Sequence, residues 1–391
     1  MKEYVLVINS GSSSLKFQLF EKNALYPLTK GIIDRIGFDK SQLHMTVCAK
    51  KETRDVFVPN HQIAVQVLIR ELLEYDILED LDQIKGVGHR VAHGGETFLH
   101  PVVITKNVEE EIEKLSELAP LHNPINLIGI RAFRKALPEA IQIAVFDTSY
   151  HQTMEEKYYT YPIPIEYRDS YKIRRYGFHG ISHEYISREL LRKCKQSGKV
   201  ISAHLGNGSS ICAILDGKSV INSMGFTPTA GLMMGTRCGD LDPSILTFIE
   251  KHDQRNSDEI EWLLNHSSGL KGIYKYSSDM RDIEDACSHG DERACLALEI
   301  FITRVVEKIG SYVAILNGLD CLVFTAGIGE HSSLIRSKVC QQFEFLGLKI
   351  DERANKENSY CISTKNSTIK VLVVQTNEEL LISEAVWAYL T

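Results

Sequence analysis

The sequence predicts an α/β protein of two domains built on related plans, and three observations lead there. Apolar strand-like runs alternate with amphipathic helical stretches through the whole chain. At 391 residues the chain exceeds what one ordinary hydrophobic core accommodates. The segment VLVINSGSSSLKFQLF near the start also resembles VISAHLGNGSSICAILDG in the middle, each reading strand, Gly/Ser turn, strand.

The elements follow from local pattern. Short apolar runs at 5–8, 141–146, 200–203, 321–325 and 371–374 have strand length and β-branched content. Helix starts are marked by Asn123 before Pro124, Asp242 before Pro243, and Asn377 before Glu378 and Glu379, each a capping side chain ahead of a proline or an acidic first turn. Residues 291–317 repeat apolar side chains at helical spacing (Leu296, Ile300, Val305, Ile309, Val313, Leu316), which predicts one long helix or a broken pair packed into a core. In the two similar hairpins an apolar strand enters a small-residue turn and returns, so the two tips are expected to face a common cleft. The chain beyond Val371 is expected to return to the first domain, giving 1–149 plus 380–391 and 150–379.

Composition narrows the function classes. A formal net charge of -7 and a pI near 6.1 offer no drive toward nucleic acid or an anionic membrane surface. The apolar start of the chain is too short for a signal-peptide core, and no run of about 18 apolar residues occurs, so a cytoplasmic protein is expected. Nine cysteines without a C-x-x-C pair suggest neither a disulfide framework nor a thiolate zinc site, and are read as reduced, mostly buried thiols.

Phosphate-binding parts stand out next. Asn9, Ser10, Gly11, Ser12, Ser13, Ser14 and Lys16 place backbone N–H groups, hydroxyls, an amide and a cation in one tight loop. The second tip, from His204 to Ser210, adds Gly206 and Gly208, where backbone can approach a polyphosphate closely. A third glycine turn, Gly327, Ile328, Gly329, Glu330 and His331, follows the 321–325 strand, where nucleotides bind in α/β sheets. No Walker lysine loop and no complete G-x-G-x-x-G occurs.

Arg90 and Arg237 each sit among small residues, and their planar guanidinium forks match carboxylate or phosphate oxygens. Any one arginine is as readily a salt-bridged surface group; two in glycine-rich settings suit an acid held beside a phosphoryl group. Histidines 89, 93, 122, 179, 183 and 204 lack metal-ligand spacing, and a structural role for each is the plainer reading. Asp147 and Glu378 follow strand-like runs, as magnesium ligands or charge-positioning groups do, although either also suits a helix start.

These residues resemble one family over nearly the whole chain: the acetate kinases, within the acetate and sugar kinase, heat-shock and actin superfamily. The resemblance rests on NSGSSSLKF at 9–17, GHRVAHGGE at 88–96, PLHNP at 120–124, FDTSYHQTM at 146–154, RRYGFHGISHEY at 174–185, HLGNGSS at 204–210, GFTPTAGLMMGTRCGDLDP at 225–243, SDMRD at 278–282, TAGIGEH at 325–331 and TNEEL at 376–380. It implies duplicated ribonuclease H-like, actin-like ATPase domains, βββαβαβα in each with a nucleotide cleft between them, and a homodimer. It implies reversible ATP-dependent phosphorylation of acetate to acetyl phosphate, with ATP or ADP as co-substrate and magnesium, or manganese, as the metal.

By the same resemblance Asn9 and Glu378 place the metal, Lys16 lies at the phosphates and Ser12 near them. The adenine nucleotide meets His204, Leu205, Gly206, Asn207, Gly208, Asp279, Met280, Arg281, Gly327, Ile328, Gly329, Glu330 and His331. Arg90 and Arg237 clamp the acid and the transferring phosphoryl, His179 donates a hydrogen bond to that phosphoryl, Asp147 is the essential acid, and His122 sits beside the substrate. Ala92, Leu121, Phe178 and Pro228 line its methyl end.

The chain departs from the common pattern at Ala92, where valine is frequent, at Thr229 and Ala230, and at His331. Alanine at 92 is similar to the propionate kinases, which leaves propionate as the alternative acid. An ATP-operated binding protein of the actin or heat-shock type would leave the two arginines without a purpose. A sugar or glycerol kinase would need a catalytic base for a neutral hydroxyl.

Overall fold

The computed structural model describes residues 2–47, 50–194 and 198–391, and the chain divides into two compact units, Met1–Tyr150 with Asn377–Thr391, and His151–Thr376. The first unit holds β1 (Tyr4–Ser10), β2 (Ser14–Glu21), β3 (Thr29–Asp34), β4 (Ser41–Val47), β5 (Lys50–Val56), β6 (Ile84–Val91), β7 (Val102–Val103) and β8 (Ile141–Phe146) in one sheet of order β5-β4-β3-β2-β1-β6-β8-β7. Strands β1 to β5 form an antiparallel meander, whereas β6 and β8 run parallel to β1.

Parallel strands covered on both faces read as unbroken apolar runs, which is why β1 and β8 were legible. One face of this sheet carries the helix Asn123–Ala136, whose Phe133 meets His89 edge-on. The opposite face carries the C-terminal helix Glu378–Leu390, and a Cβ at Gly86 or Gly88 would stand 2.5 Å from Val386 or Ile382. Glycine is therefore what lets this helix lie against β6.

The second unit is built on β9 (Lys199–Leu205), β10 (Ser209–Leu215), β11 (Lys218–Asn222), β12 (Cys321–Thr325) and β13 (Lys370–Val373), in the order β11-β10-β9-β12-β13. Three antiparallel strands followed by two parallel ones repeat the β3-β2-β1-β6-β8 core of the first unit. The fold is thus α/β with two mixed sheets of one plan. Residues 291–317 form a single helix, Glu292–Leu316, capped by Asp291 and ended by Asn317 in the left-handed conformation. Its Phe301, Val305, Ile309 and Tyr312 pack in one core with Ile201, Ala203, Leu322 and Phe324.

Several local expectations are corrected. Residues 327–331 are not a turn but most of a short helix, Ala326–His331, whose first N–H donates to Glu330 Oε1 at 2.9 Å. Asn123 does not cap its helix; His122 stands at the N-cap, and Asn123 Oδ1 and Nδ2 instead bond the backbone N–H and carbonyl of His93 at 3.1 and 3.0 Å. The cysteines are not all thiols, because Cys287 and Cys295 form a disulfide. The last turn of the helix Met280–Ser288 lies on the first turn of Glu292–Leu316, which brings the two sulfurs together. Among the described residues no helix is long and apolar enough to cross a membrane.

Candidate active site

In the first unit β6 and β8 end side by side, with Arg90 paired in register to Val145, and the chain leaves β8 directly into Asp147. Arg90 Nε donates to Asp147 Oδ1 at 3.2 Å and Nη2 donates to Oδ2, a two-pronged carboxylate–guanidinium pair. On the same guanidinium, Nη1 reaches Asn9 Oδ1 at 3.5 Å and Nε lies 3.7 Å from Glu378 Oε2. Four of the expected residues therefore converge on one spot. Burial alone would make the Arg90 cation easier to discharge, but the carboxylates of Asp147 and Glu378 outweigh it and hold the guanidinium firmly charged. The Glu378 carboxyl is pushed up to about 7 by burial, with Asp147 and Glu379 adding to the shift and Arg90 and Lys16 opposing it.

Two asparagines that the sequence did not flag as functional set the backbone here. Asn126 Oδ1 accepts from Ala92 N–H at 3.1 Å while its Nδ2 donates to the Ser10 carbonyl at 3.0 Å, tying the end of β1 to the end of β6. Asn123 holds His93 in the same way. The hairpin tip is fastened by His61, whose Nε2 donates to the Gly11 carbonyl at 2.8 Å. Lys16 pairs in register with Asn9, and its side chain is exposed, as is that of Ser12. Leu121 is half exposed just before His122, and Ala92 is half-buried.

Magnesium prefers hard oxygen ligands, keeps several waters and takes only one or two protein carboxylates beside substrate phosphates. Asn9 Oδ1 and the Glu378 carboxylate both approach Arg90, and Glu378 has a raised carboxyl pKa that a dication would relieve. Among the described residues no group of three His, Cys, Asp or Glu side chains forms a preassembled metal cage. That donor set suits a metal arriving with a nucleotide.

In the second unit the site is organised by the β9–β10 tip. Gly206 N–H donates to the Gly208 carbonyl at 3.1 Å, and Gly235 N–H donates to the Asn207 carbonyl at 2.9 Å, binding the Arg237 loop to the tip. A Cβ on Gly235 would stand 1.9 Å from Asn207 Oδ1, so the approach needs glycine. A Cβ on Gly208 would lie 3.5 Å from His179 Nε2 and 3.7 Å from Arg237 Nη1. A ring nitrogen and a guanidinium thus flank one bare stretch of backbone. His179 has φ of 56°, a left-handed conformation uncommon for a non-glycine residue and typical of functional positions. Its ring stacks on His204 at 4.1 Å.

Arg237 Nη1 also donates to the Pro228 carbonyl at 3.4 Å and lies 3.9 Å from Met234 Sδ. Met234 packs with Phe178 and Met224 in a small buried apolar cluster, so the arginine touches the Pro228 carbonyl and one member of the cluster that holds Phe178. The two methionines had no sequence signal beyond apolar character.

The remaining nucleotide candidates separate by what they offer. Leu205 and Met280 are buried in the core, so only their backbone remains for a ligand. Asp279 caps its helix and binds Arg281, whose hydrogen bonds hold the Asp279 carboxyl down at about 2. Glu330 Oε1 accepts from the backbone of Ala326 and of Thr376, at 2.9 and 3.2 Å, which makes it a brace for the short helix that carries Gly327, Ile328, Gly329 and the exposed His331.

Comparison with known proteins places this arrangement. A solved structure of acetate kinase from Porphyromonas gingivalis matches with TM-score 0.94 and 40% identity over the whole of both chains. That of a propionate kinase from Francisella tularensis also reaches 0.94 at 40%, over 98% of each chain. In sequence the chain is 49% identical to an acetate kinase of Geobacillus kaustophilus over 98% of both. It is equally 49% identical to a propionate kinase of Salmonella typhimurium over 99% of this chain and 96% of that protein. With the acetokinase family model matched from residue 4 to residue 384, the chain belongs to the acetokinase family.

Proposed function

We propose that this chain is an acetate kinase, transferring the terminal phosphoryl group of ATP reversibly and directly to a carboxylate oxygen of acetate. The reading is carried by His179 Nε2 and Arg237 Nη1 flanking the Gly208 backbone, two nitrogens aimed where a transferring phosphoryl can lie against a glycine tip. A carboxylic acid of pKa roughly 4 to 5 is already ionised at neutral pH, so its oxygen is a ready nucleophile and no strong base is required. Positioning and charge neutralisation then dominate, as in phosphoryl transfer generally.

Each residue has its part. Arg237 and His179 offset charge on the planar phosphoryl, and Arg90 orients the acid. Asp147 is committed to the Arg90 fork, which suits an orienting group better than a proton carrier. Ala92, Leu121, His122, Phe178 and Pro228 are the residues proposed to recognise the short acyl chain. Lys16 and Ser12 meet the phosphates, and residues 204–208, 279–281 and 327–331 meet the rest of the nucleotide, chiefly through backbone. Asn9 and Glu378 would hold magnesium, which supplies positive charge to the phosphate oxygens when bound. The enzyme acts as a homodimer, for which the exposed Leu241, Ile245, Phe248 and Trp262 supply apolar surface, and it works in the cytoplasm.

Propionate is the second substrate, favoured by the small side chain at Ala92. Trapping acyl phosphate with hydroxylamine in the presence of ATP and acetate, propionate, butyrate or glycerol tests the reading. Hydroxamate from acetate and propionate is expected; ATP consumption with glycerol and none with the acids would replace it with a polyol kinase.

A further inference from the structure

His179 can stabilise a phosphoryl group as a hydrogen-bond donor only if the ring nitrogen that faces the ligand carries a proton. The second unit contains a chain of groups that settles this. Ser210, fully buried on β10, has its Oγ 2.9 Å from His179 Nδ1 and 2.8 Å from His183 Nε2. The other nitrogen of His183, Nδ1, lies 3.0 Å from Oγ of Ser202, which is fully buried on β9. Burial, together with the neighbouring His151 and His204, keeps the His183 pKa well below its ordinary value, so this ring is neutral and bears one proton.

With single protons on each hydroxyl and on the neutral His183 ring, the chain can run in two directions. If His179 Nδ1 donated to Ser210, Ser210 would donate to His183 Nε2 and His183 Nδ1–H would point at Ser202. The Ser202 proton would then be buried without an acceptor, because His183 Nδ1 is the hydrogen-bond partner of Ser202 Oγ among the described residues. A buried donor left unsatisfied is disfavoured. In the opposite direction Ser202 donates to His183 Nδ1, His183 Nε2–H donates to Ser210, and Ser210 donates to His179 Nδ1. The Ser202 and Ser210 hydroxyl protons and the His183 ring proton are then all used within the chain, and Nδ1 of His179 accepts.

We infer that Ser202, His183 and Ser210 form a one-way hydrogen-bond chain that holds His179 in the tautomer protonated on Nε2, the nitrogen beside Gly208. These three are positioning residues. The inference rests on the proposed role of His179 for its catalytic consequence, but the tautomer itself is a property of the free protein.

Histidine ring ¹⁵N spectra of the full-length protein at neutral pH, with the His179 signals assigned by their loss in His179→Gln, test it. Wild type is expected to show His179 protonated on Nε2 with Nδ1 bare. Ser210→Ala is expected to mix the two tautomers and to lower kcat about tenfold to a hundredfold with KM for ATP and acetate little changed; Ser210→Thr, which restores the hydroxyl, is expected to recover both. Ser202→Ala is expected to act in the same direction more weakly. A wild-type His179 protonated on Nδ1 overturns the inference even if Ser210→Ala fails to fold, and so does a folded Ser210→Ala with unchanged tautomer and turnover. If the tautomer is as inferred while His179→Gln retains full activity, it is the catalytic reading of His179 that fails and the chain that stands.

Discussion

Arg90 and Asp147 meet at the ends of two adjacent parallel strands, the guanidinium Nε 3.2 Å from Oδ1 and Nη2 against Oδ2, and the arginine keeps Nη1 turned toward Asn9. The carboxylate thus sets the plane of the fork. Replacing Asp147 with Asn keeps the shape and removes the charge. Steady-state kinetics of this variant are expected to show a raised KM for acetate and a kcat reduced by about 10² or more, with an altered dependence on magnesium. A normal metal dependence and near-normal turnover would count against the orienting role.

Arg237 is expected to act mainly in the transition state. Electrostatic donors aimed at developing charge are worth about 10²- to 10³-fold each. Arg237→Ala is therefore expected to lower kcat at least that much while thermal unfolding stays close to wild type, since the side chain is only half-buried. Turnover within a few-fold of wild type would remove Arg237 from the mechanism.

Stability should fall with pH below neutrality. Burial lowers the pKa of His89 to about 4, of His93 to about 3 and of His151 to about 4. Above the ordinary value of 6.5 both folded and unfolded rings are neutral. As pH falls from 6.5 toward 4 the unfolded rings take up protons that the folded ones refuse, so unfolding becomes more favourable. Glu378 works the other way, since a carboxyl raised to about 7 destabilises the fold as pH rises through 4.5 to 7. His183 is likewise held well below its ordinary value, and four rings against one carboxyl leave a net loss of stability on acidification. Urea unfolding between pH 7 and pH 5 is expected to show it, with a smaller slope in His89→Leu/Gln142→Leu, which removes the ring and its hydrogen-bond partner together. Equal stability at pH 7 and pH 5 would contradict it.

Ala92 should govern acyl length. A methylene of pocket space is worth about 1–3 kcal/mol, or 10- to 200-fold. Ala92→Val is expected to lower kcat/KM for propionate relative to acetate within that range, measured by competing the two acids. An unchanged ratio would place the acyl chain elsewhere.

Much of this was legible in the sequence because it depends on local pattern. Parallel strands buried on both faces show as apolar runs, the long helix shows its period, and glycine–serine hairpins show as paired motifs. The parts that were not legible depend on tertiary contact. Asn123 and Asn126 look like the start of a helix, and only the fold reveals that they hold His93, Ala92 and Ser10. Gly327 and Gly329 read as a turn because glycine disfavours helix, yet Glu330 satisfies the first N–H and the segment coils. Cys287 and Cys295, eight residues apart, match no pairing motif; two helices folding back on each other bring them together. Ser202 reads as an ordinary strand residue and Ser210 as the end of a phosphate-binding tip, and only the fold places His183 between them and His179 beyond Ser210.

The central claim is direct transfer to an ionised carboxylate without a phosphorylated enzyme. The stereochemical course with ATP made chiral at its terminal phosphorus by oxygen isotopes tests it most directly. One in-line displacement predicts inversion at phosphorus in the acetyl phosphate formed, whereas retention would mean two displacements through a phosphoryl-enzyme and would contradict the account.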